Sequence, residues 1–252
     1  MSNSREQGAD SQHRRQLRSA LLRRDTVRIG VAAIVVAALA VMASIAVVSA
    51  RSPHVDDTGV PRATTGVEYQ PAAIVFKGHG RTRTTPFLLV GGLTVFTGAH
   101  HGGGSFSAEI FDQRGRPQRL LFLADGPYRG SLGLGLNGGI YRLMVAASTP
   151  WRVTITQPRQ IAAAALPQRY QGGSDMLVGP FHASGSVVVE IGSGGSRDIS
   201  VELVNADGSS LYWLVQESGG FHGSRTAANL QDGDYYLNVG AGGPWTVSLR
   251  PA

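Results

Sequence analysis

The segment Gly133-Leu134-Gly135-Leu136-Asn137-Gly138 matches G-x-G-x-x-G, a pattern that cradles the pyrophosphate of dinucleotides in many proteins. That chemistry needs a strand before the pattern and a helix after it, because the helix N-terminus supplies amide groups for the phosphates. Here the segment from Tyr141 to Val145 follows, and its apolar residues alternate as in a strand. We therefore interpret the glycines as turn glycines and expect no dinucleotide.

Seven histidines raise the question of a metal or catalytic site. His100 and His101 are adjacent, so their side chains would point to opposite faces of an extended strand. They precede Gly102-Gly103-Gly104, which favours an exposed, solvated loop. The H-E-x-x-H and G-x-S-x-G patterns are both missing from the sequence. The sequence therefore predicts no catalytic residues and no transition-metal site.

A group of acidic and amide side chains in the C-terminal part of the chain offers oxygen ligands of the type that Ca²⁺ prefers. Asp207 and Asp232 stand beside glycines, where aspartate commonly forms turns, and we favour that interpretation. We predict no cofactor and keep Ca²⁺ as a lower-ranked alternative. The residues concerned are Asp198, Glu202, Asn205, Asp207, Asp232 and Asp234.

Tyr212 and Tyr236 occupy positions that alternate away from the expected core. An exposed pair of aromatic rings could stack on a sugar or contact a protein partner, although ordinary surface tyrosines are the simpler alternative. A similar stretch of sequence occurs earlier in the chain, and there the corresponding positions hold Arg119 and Arg142. These four residues form the predicted ligand surface.

The composition is typical of a folded chain, with 42% hydrophobic and 16% charged residues among 252. No cysteine is present, which excludes disulfides and thiolate metal sites. The net charge of +6 is uneven. Residues 75–159 hold ten basic and three acidic groups, whereas residues 172–252 hold three basic and eight acidic groups. This asymmetry favours docking between the two regions, and charge drift after duplication is the open alternative. The basic balance alone does not indicate nucleic-acid binding, because it reflects the N-terminal tail and an arginine-rich chain, and we expect none.

Residues 29–50 form a predicted transmembrane helix, since no charge appears between Arg28 and Arg51 and about 20 apolar residues span a bilayer. Residues 1–28 form a basic tail with seven arginines and three acids. The positive-inside rule places this tail in the cytoplasm and the C-terminal region outside, anchored in the plasma membrane through residues 29–48. A signal peptide cleaved after Ala50 is the open alternative. Residues 51–73, with three prolines, read as an extracytoplasmic linker.

The region after the linker contains two copies of one unit. Collinear matches recur 93 or 94 residues apart, which makes chance an implausible explanation. We assign residues 74–159 to repeat 1, 160–171 to a linker and 172–252 to repeat 2. The matches include Phe76-Lys77-Gly78 with Tyr170-Gln171-Gly172, Tyr128-Arg129-Gly130-Ser131 with Phe221-His222-Gly223-Ser224, Gly139–Val145 with Gly233–Val239, and Pro150–Val153 with Pro244–Val247.

Apolar residues within each repeat alternate with a period of two, as in half-buried strands. Trp151 and Trp245 begin such faces and are expected in the cores. Turn pairs such as Asn137-Gly138 and Asp207-Gly208 separate the short strands. We predict an all-β chain with two tandem jelly-roll-like β-sandwiches. Only residues 161–166, in the linker between the repeats, could form a short turn of helix.

The pattern F/Y-x-G, P-F, a strand ending D/N-x-x-G, G-x-Y-x-L-x-V and P-W-x-V resembles the repeats of bacterial pre-peptidase C-terminal and CUB-like jelly-roll modules. The resemblance covers residues 70–252, and its motifs are mainly structural. It implies a non-catalytic accessory module that binds or positions something. The protease that such modules usually accompany is missing from this chain.

These observations predict a membrane-anchored, extracytoplasmic binding or interaction module of the bacterial cell envelope, without catalytic activity. An envelope protein or glycan is the expected partner. A structural subunit or spacer of an envelope complex is the alternative, and a hydrolase with an unrecognised site ranks third.

Overall fold

The computed structural model describes residues 70–194 and 198–252, which belong to one compact unit, Ala63–Ala252. The predicted tail 1–28, the predicted helix 29–50 and the linker up to residue 69 lie outside the described residues. Within the described ranges no helix is long and apolar enough to cross a membrane.

Repeat 1 consists of nine strands. They are β1 (Ile74–Gly78), β2 (Thr82–Arg83), β3 (Phe87–Leu89), β4 (Gly92–His100), β5 (Ser105–Asp112), β6 (Pro117–Asp125), β7 (Tyr128–Leu136), β8 (Gly139–Ala147) and β9 (Trp151–Thr156).

These strands form two sheets that enclose one apolar core. The first sheet has the order β1-β9-β4-β7 and the second the order β2-β8-β5-β6, with β3 also paired to β8. Phe96, Ile155 and Leu143 are among the fully buried side chains between the sheets.

Repeat 2 consists of β10 (Gln168–Gly172), β11 (Met176–Ser193), β12 (Ile199–Asn205), β13 (Ser210–Glu217), β14 (His222–Ala241) and β15 (Trp245–Pro251). They follow the order β10-β15-β11-β14-β12-β13. β11 and β14 are long strands with register shifts near Gly185, so each corresponds to two separate strands of repeat 1. A second core lies among these strands.

Alternating burial explains why these segments are strands. Trp151, Val153 and Ile155 are buried in β9, whereas Arg152 between them is exposed. The described residues hold no helix, so the prediction of an all-β fold is confirmed for them. The two tryptophans lie in the cores as expected.

The predicted linker 160–171 differs from the structure in two respects. β10 occupies its second half and pairs with β15, so repeat 2 begins at Gln168. The helical turn expected over residues 161–166 is wrong, because Ala164 instead forms an isolated parallel bridge with Phe181. Hydrogen bonds from Ala164 N to Pro180 O and from His182 N to Ala164 O hold this extended segment.

Candidate ligand-binding surface

Tyr236 is only 6% exposed. It packs with Leu93 of repeat 1 and Val204 of repeat 2 in a small apolar cluster. The prediction of an exposed Tyr236 is wrong, because repeat 1 covers the face of repeat 2 on which it lies. The period-two pattern placed Tyr236 away from the core of its own repeat but gave no information about the other repeat.

Tyr212 is 37% exposed and lies on the opposite side of the sheet from Tyr236. Its cross-strand partner is the core residue Leu203, whereas the partner of Tyr236 is Val204. Register shifts between β12 and β13 break the strict alternation that the prediction assumed. Burial raises the pKa of the Tyr212 hydroxyl, and a hydrogen bond with the Ala228 backbone opposes that shift.

The two predicted arginines have different partners. Arg119 reaches repeat 2, where its Nη2 donates to Glu202 Oε2 at 3.4 Å and its guanidinium carbon lies 5.9 Å from the centre of the Trp213 ring. Arg142 is half-buried on β8, and its Nη1 donates to Thr84 O at 3.4 Å. The four predicted residues therefore do not form one continuous surface.

Two glycines of the G-x-G-x-x-G segment have a role other than the turns predicted for them. Gly133 and Gly135 lie within β7 and contact repeat 2, so the turn interpretation is wrong for both. The side-chain amide of Asn238 accepts a hydrogen bond from Gly133 N and donates one to Gly133 O, each at 2.9 Å. A Cβ on Gly135 would overlap the backbone of Gly208, so only glycine permits this approach.

β7 is the end strand of its sheet, and repeat 2 satisfies its outward backbone amides. Ser131 N donates to Asp175 O at 3.0 Å, and Gly135 N donates to Gly208 O at 2.6 Å. Together with the Gly133–Asn238 pair, three alternate amides are capped by hydrogen bonds across the repeat boundary. An edge strand that would otherwise template further pairing is thereby closed.

Ion pairs contribute little to the contacts between the two repeats. Among the described residues, one ion pair, Arg119–Glu202, joins the repeats. Glu202 is 2% exposed and also accepts a hydrogen bond from Asn238. The local contacts are mainly apolar and hydrogen-bonded. They do not test docking through opposite net charge, which stays a prediction.

His100 is 1% exposed, so the expectation of a solvated histidine pair is wrong for this residue. Its ring stacks on Phe106, Nδ1 lies 3.1 Å from Gly126 O, and Nε2 lies 2.7 Å from Thr149 Oγ1. Nδ1–H donation to the carbonyl leaves Nε2 to accept from the hydroxyl. Gly102 packs directly over Thr149. This hydroxyl–imidazole pair is thus sealed within the fold.

The acidic side chains considered for Ca²⁺ have different partners. Asp232 and Asp234 contact His182 on the surface, at 3.2 and 2.9 Å. Asp207 accepts hydrogen bonds from Ser209 within its turn, and these lower its pKa. Across residues 70–194 and 198–252, no group of three or more His, Cys, Asp or Glu side chains could hold a metal ion.

The outward face of the first sheet of repeat 1 carries a row of cations. Cross-strand partners place Lys77, Arg152, Ala99 and Arg129 side by side on β1, β9, β4 and β7. The three charged side chains are exposed. At about 4.8 Å between strands, the row extends over roughly 14 Å. We call these four residues the cationic row.

The cationic row has no acidic partner in the part of the chain that the structure describes, since none of its members forms an ion pair there. Arg152 Nε instead donates to Thr154 Oγ1 at 3.4 Å. Like charges on facing strands destabilise a sheet. An anion bound across the row would relieve that repulsion.

Repeat 2 carries uncharged residues at the same place. Gln171, Thr246, Gly192 and His222 form the corresponding row on β10, β15, β11 and β14. They line an open groove of about 520 Å³, together with Gly194 and the edge of Trp245. We call it the neutral groove.

The comparisons with known proteins identify no family for this chain. No family model and no curated protein matches it. Solved structures with some likeness include the PBSX exported protein XepA (10% identity, 73% of this chain and 85% of that one, TM-score 0.26). Another is the protein of unknown function PA5104 from Pseudomonas aeruginosa PAO1, with 12% identity over 71% of this chain and 80% of that one and a TM-score of 0.22. A third is the CBM22-1–CBM22-2 tandem domain of Paenibacillus barcinonensis Xyn10C, with 12% identity over 73% of this chain and 85% of that one and a TM-score of 0.21.

Proposed function

We propose that this chain is an extracytoplasmic binding module without catalytic activity, and that its cationic row binds a polyanion. In this proposal residues 29–50 anchor the protein in the plasma membrane with the basic tail in the cytoplasm, and the linker 51–73 presents the repeats outside. The repeats have strand orders that match a jelly roll, β1-β9-β4-β7 facing β2-β8-β5-β6. We assign each repeat to that topology.

The cationic row carries the proposal. Lys77, Arg129 and Arg152 are exposed, in register on a sheet face, and without carboxylate partners among the described residues. Their extent of roughly 14 Å exceeds one phosphate or carboxylate, so a ligand with several anionic groups is required to engage all three. Charge-assisted hydrogen bonds from arginine to such groups supply affinity and orientation.

The outward face beside the row favours a hydroxylated ligand over a single-stranded nucleic acid. The neighbouring row of the same face holds Thr154, Thr97 and Ser131 between strands β9, β4 and β7. Single-stranded nucleic acids require aromatic side chains on which bases stack, and this face has none among its described residues. Hydroxyl groups beside cations suit an acidic glycan.

A binding experiment with the full-length protein in detergent micelles tests the proposal. Isothermal titration with polygalacturonate should give saturable binding, and replacement of Lys77, Arg129 and Arg152 by Gln should lower affinity at least about tenfold, or 1.4 kcal/mol. The matched control replaces Arg81, Arg83 and Arg114, which are equally exposed and lower the charge by the same amount. Equal losses in both variants would show that overall charge, and no particular row, attracts the polymer.

A structural spacer is the second candidate, and the buried contacts between the repeats favour it. Gly133–Asn238 and Arg119–Glu202 fix one repeat against the other, which suits a rigid strut. A spacer would tolerate loss of the cationic row in cells but would fail when the repeats are separated. Envelope integrity measured for Arg152→Gln and Asn238→Ala strains distinguishes the two functions.

A further inference from the structure

We infer that the neutral groove of repeat 2 is a second binding site, which takes an uncharged sugar unit of an acidic polysaccharide. This inference rests on the proposed function of the cationic row and names the class of polymer. It follows from a comparison of the two repeats at one structural position.

The groove is open because Gly192 has no side chain. Its counterpart in repeat 1 is Ala99, flanked by Arg152 and Arg129. At Gly192 the position of a Cβ lies 3.1 Å from Thr246 Oγ1 and 3.2 Å from His222 Nδ1. Thr246 Oγ1 and His222 Nδ1 thus border the space above the backbone of Gly192.

Three polar side chains line the groove. Gln171 and His222 are exposed and Thr246 is half-buried. Within the described ranges none of these three side chains donates or accepts a hydrogen bond. A side-chain amide and a hydroxyl can each donate and accept, and the ring nitrogens of an imidazole also form hydrogen bonds. Sugar hydroxyls have the same dual capacity, whereas carboxylates and phosphates only accept and are better matched by the cations of repeat 1.

Recognition in the groove depends on hydrogen bonds rather than on ring stacking. Trp245 contributes only an edge, because its indole is 2% exposed and Nε1 donates to Ser174 O at 2.8 Å. Its ring covers Gly172, the neighbour of Gln171. An aromatic platform for a sugar face is therefore absent from the described part of the groove, and the three polar side chains carry the specificity.

The buried contacts between the repeats connect the two sites. They hold the cationic row and the neutral groove at a fixed separation, and a polymer long enough to span that separation would engage the second site at a raised effective concentration. An alternating polymer of acidic and neutral units can use both sites. A polymer of acidic units alone uses the cationic row.

Titration of the full-length protein in micelles with two polymers tests the inference. The probes are hyaluronate, which alternates a uronate with an N-acetylhexosamine, and polygalacturonate, which is acidic throughout. Gly192→Ala introduces the residue that repeat 1 holds at this place, and Gln171→Ala with His222→Ala removes polar groups. Each variant should weaken hyaluronate binding about five- to tenfold, the cost of one or two hydrogen bonds, and change polygalacturonate binding less than twofold.

The outcomes separate the inference from the proposed function. Unchanged hyaluronate affinity in both groove variants, with the loss expected for the Lys77, Arg129 and Arg152 variant, overturns the groove site and leaves the cationic row standing. Unchanged affinity in the cationic-row variant overturns both. Tighter binding to phosphatidylglycerol vesicles or to an oligothymidylate than to either polysaccharide overturns the assignment to a sugar polymer. Unaltered circular dichroism and melting temperature show that the groove variants are folded.

Discussion

Trp245 lies directly opposite Gly172 across two antiparallel strands, and its indole covers the glycine so closely that a Cβ there would overlap the ring. Gly78 and Trp151 repeat the same arrangement in repeat 1. The glycine of the F/Y-x-G motif and the tryptophan of the P-W motif are therefore two halves of one packing unit.

Gly172→Ala should destabilise the protein by about 1–3 kcal/mol, the usual cost of overpacking a core. The indole must move away from its hydrogen bond to Ser174. Gly173 is the matched control, because a Cβ at that residue would meet nothing within 4 Å. Urea denaturation followed by tryptophan fluorescence measures the difference, and equal midpoints for the two variants would contradict the packing account.

Asn238→Ala should lower the free energy of unfolding by about 2–3 kcal/mol, because it leaves buried backbone groups of Gly133 without partners. Glu202 loses one of its hydrogen bonds in the same variant. Met144, which occupies the equivalent place in repeat 1, provides the control: Met144→Ala should cost less than about 1.5 kcal/mol, since its surroundings are half-open. Differential scanning calorimetry compares the two, and a larger loss for Met144→Ala would contradict the prediction.

The repeats should stay docked at high salt. At about 1 M salt the screening length falls to roughly 3 Å, which weakens the attraction between the basic repeat 1 and the acidic repeat 2 but leaves apolar contacts and hydrogen bonds intact. Small-angle scattering should give the same radius of gyration at low and high salt. A larger radius of gyration at high salt would contradict this prediction and would indicate that opposite net charge is the main cause of docking.

His182 should contribute to a pH dependence of stability. A hydrogen bond to Asp234, reinforced by Asp232, raises the pKa of the imidazole. A raised folded-state pKa means that this contribution is fully present below the unfolded value of about 6.5 and is lost as pH rises through the folded value. Histidine NMR titration measures the pKa directly. In His182→Gln the fall in melting temperature between those pH values should be smaller, and an unchanged fall would assign it to other groups.

The sequence predicts the strands well, because a half-buried strand must alternate along the chain. Trp151, Val153 and Ile155 are one example in which period alone identified the inward face. The sequence pattern of a strand does not indicate which residues of other strands lie opposite it. Lys77, Arg152 and Arg129 are distant in sequence, and only the pairing of four strands places them in one row.

The predicted ligand surface failed at Tyr236 for a related reason. An alternating pattern distinguishes the two faces of a strand only with respect to the core of its own repeat, so a face covered by another repeat has the pattern of a solvent-exposed surface. The glycines at 133 and 135 carried the missing signal, because repeat 2 has Thr226 and Ala228 at those places. Glycine retained in only one of two copies indicates a close approach that only this copy makes.

The hydrogen bonds at the edge of β7 make repeat 1 dependent on repeat 2. Repeat 1 relies on Asp175, Asn238 and Gly208 to complete its outermost strand, and no residue of repeat 1 substitutes for them. A fragment that ends at residue 159 would display that strand with unpaired backbone amides, which could pair with a neighbouring molecule in an intermolecular sheet. Separation of the two copies is therefore expected to leave a first half that self-associates through β7.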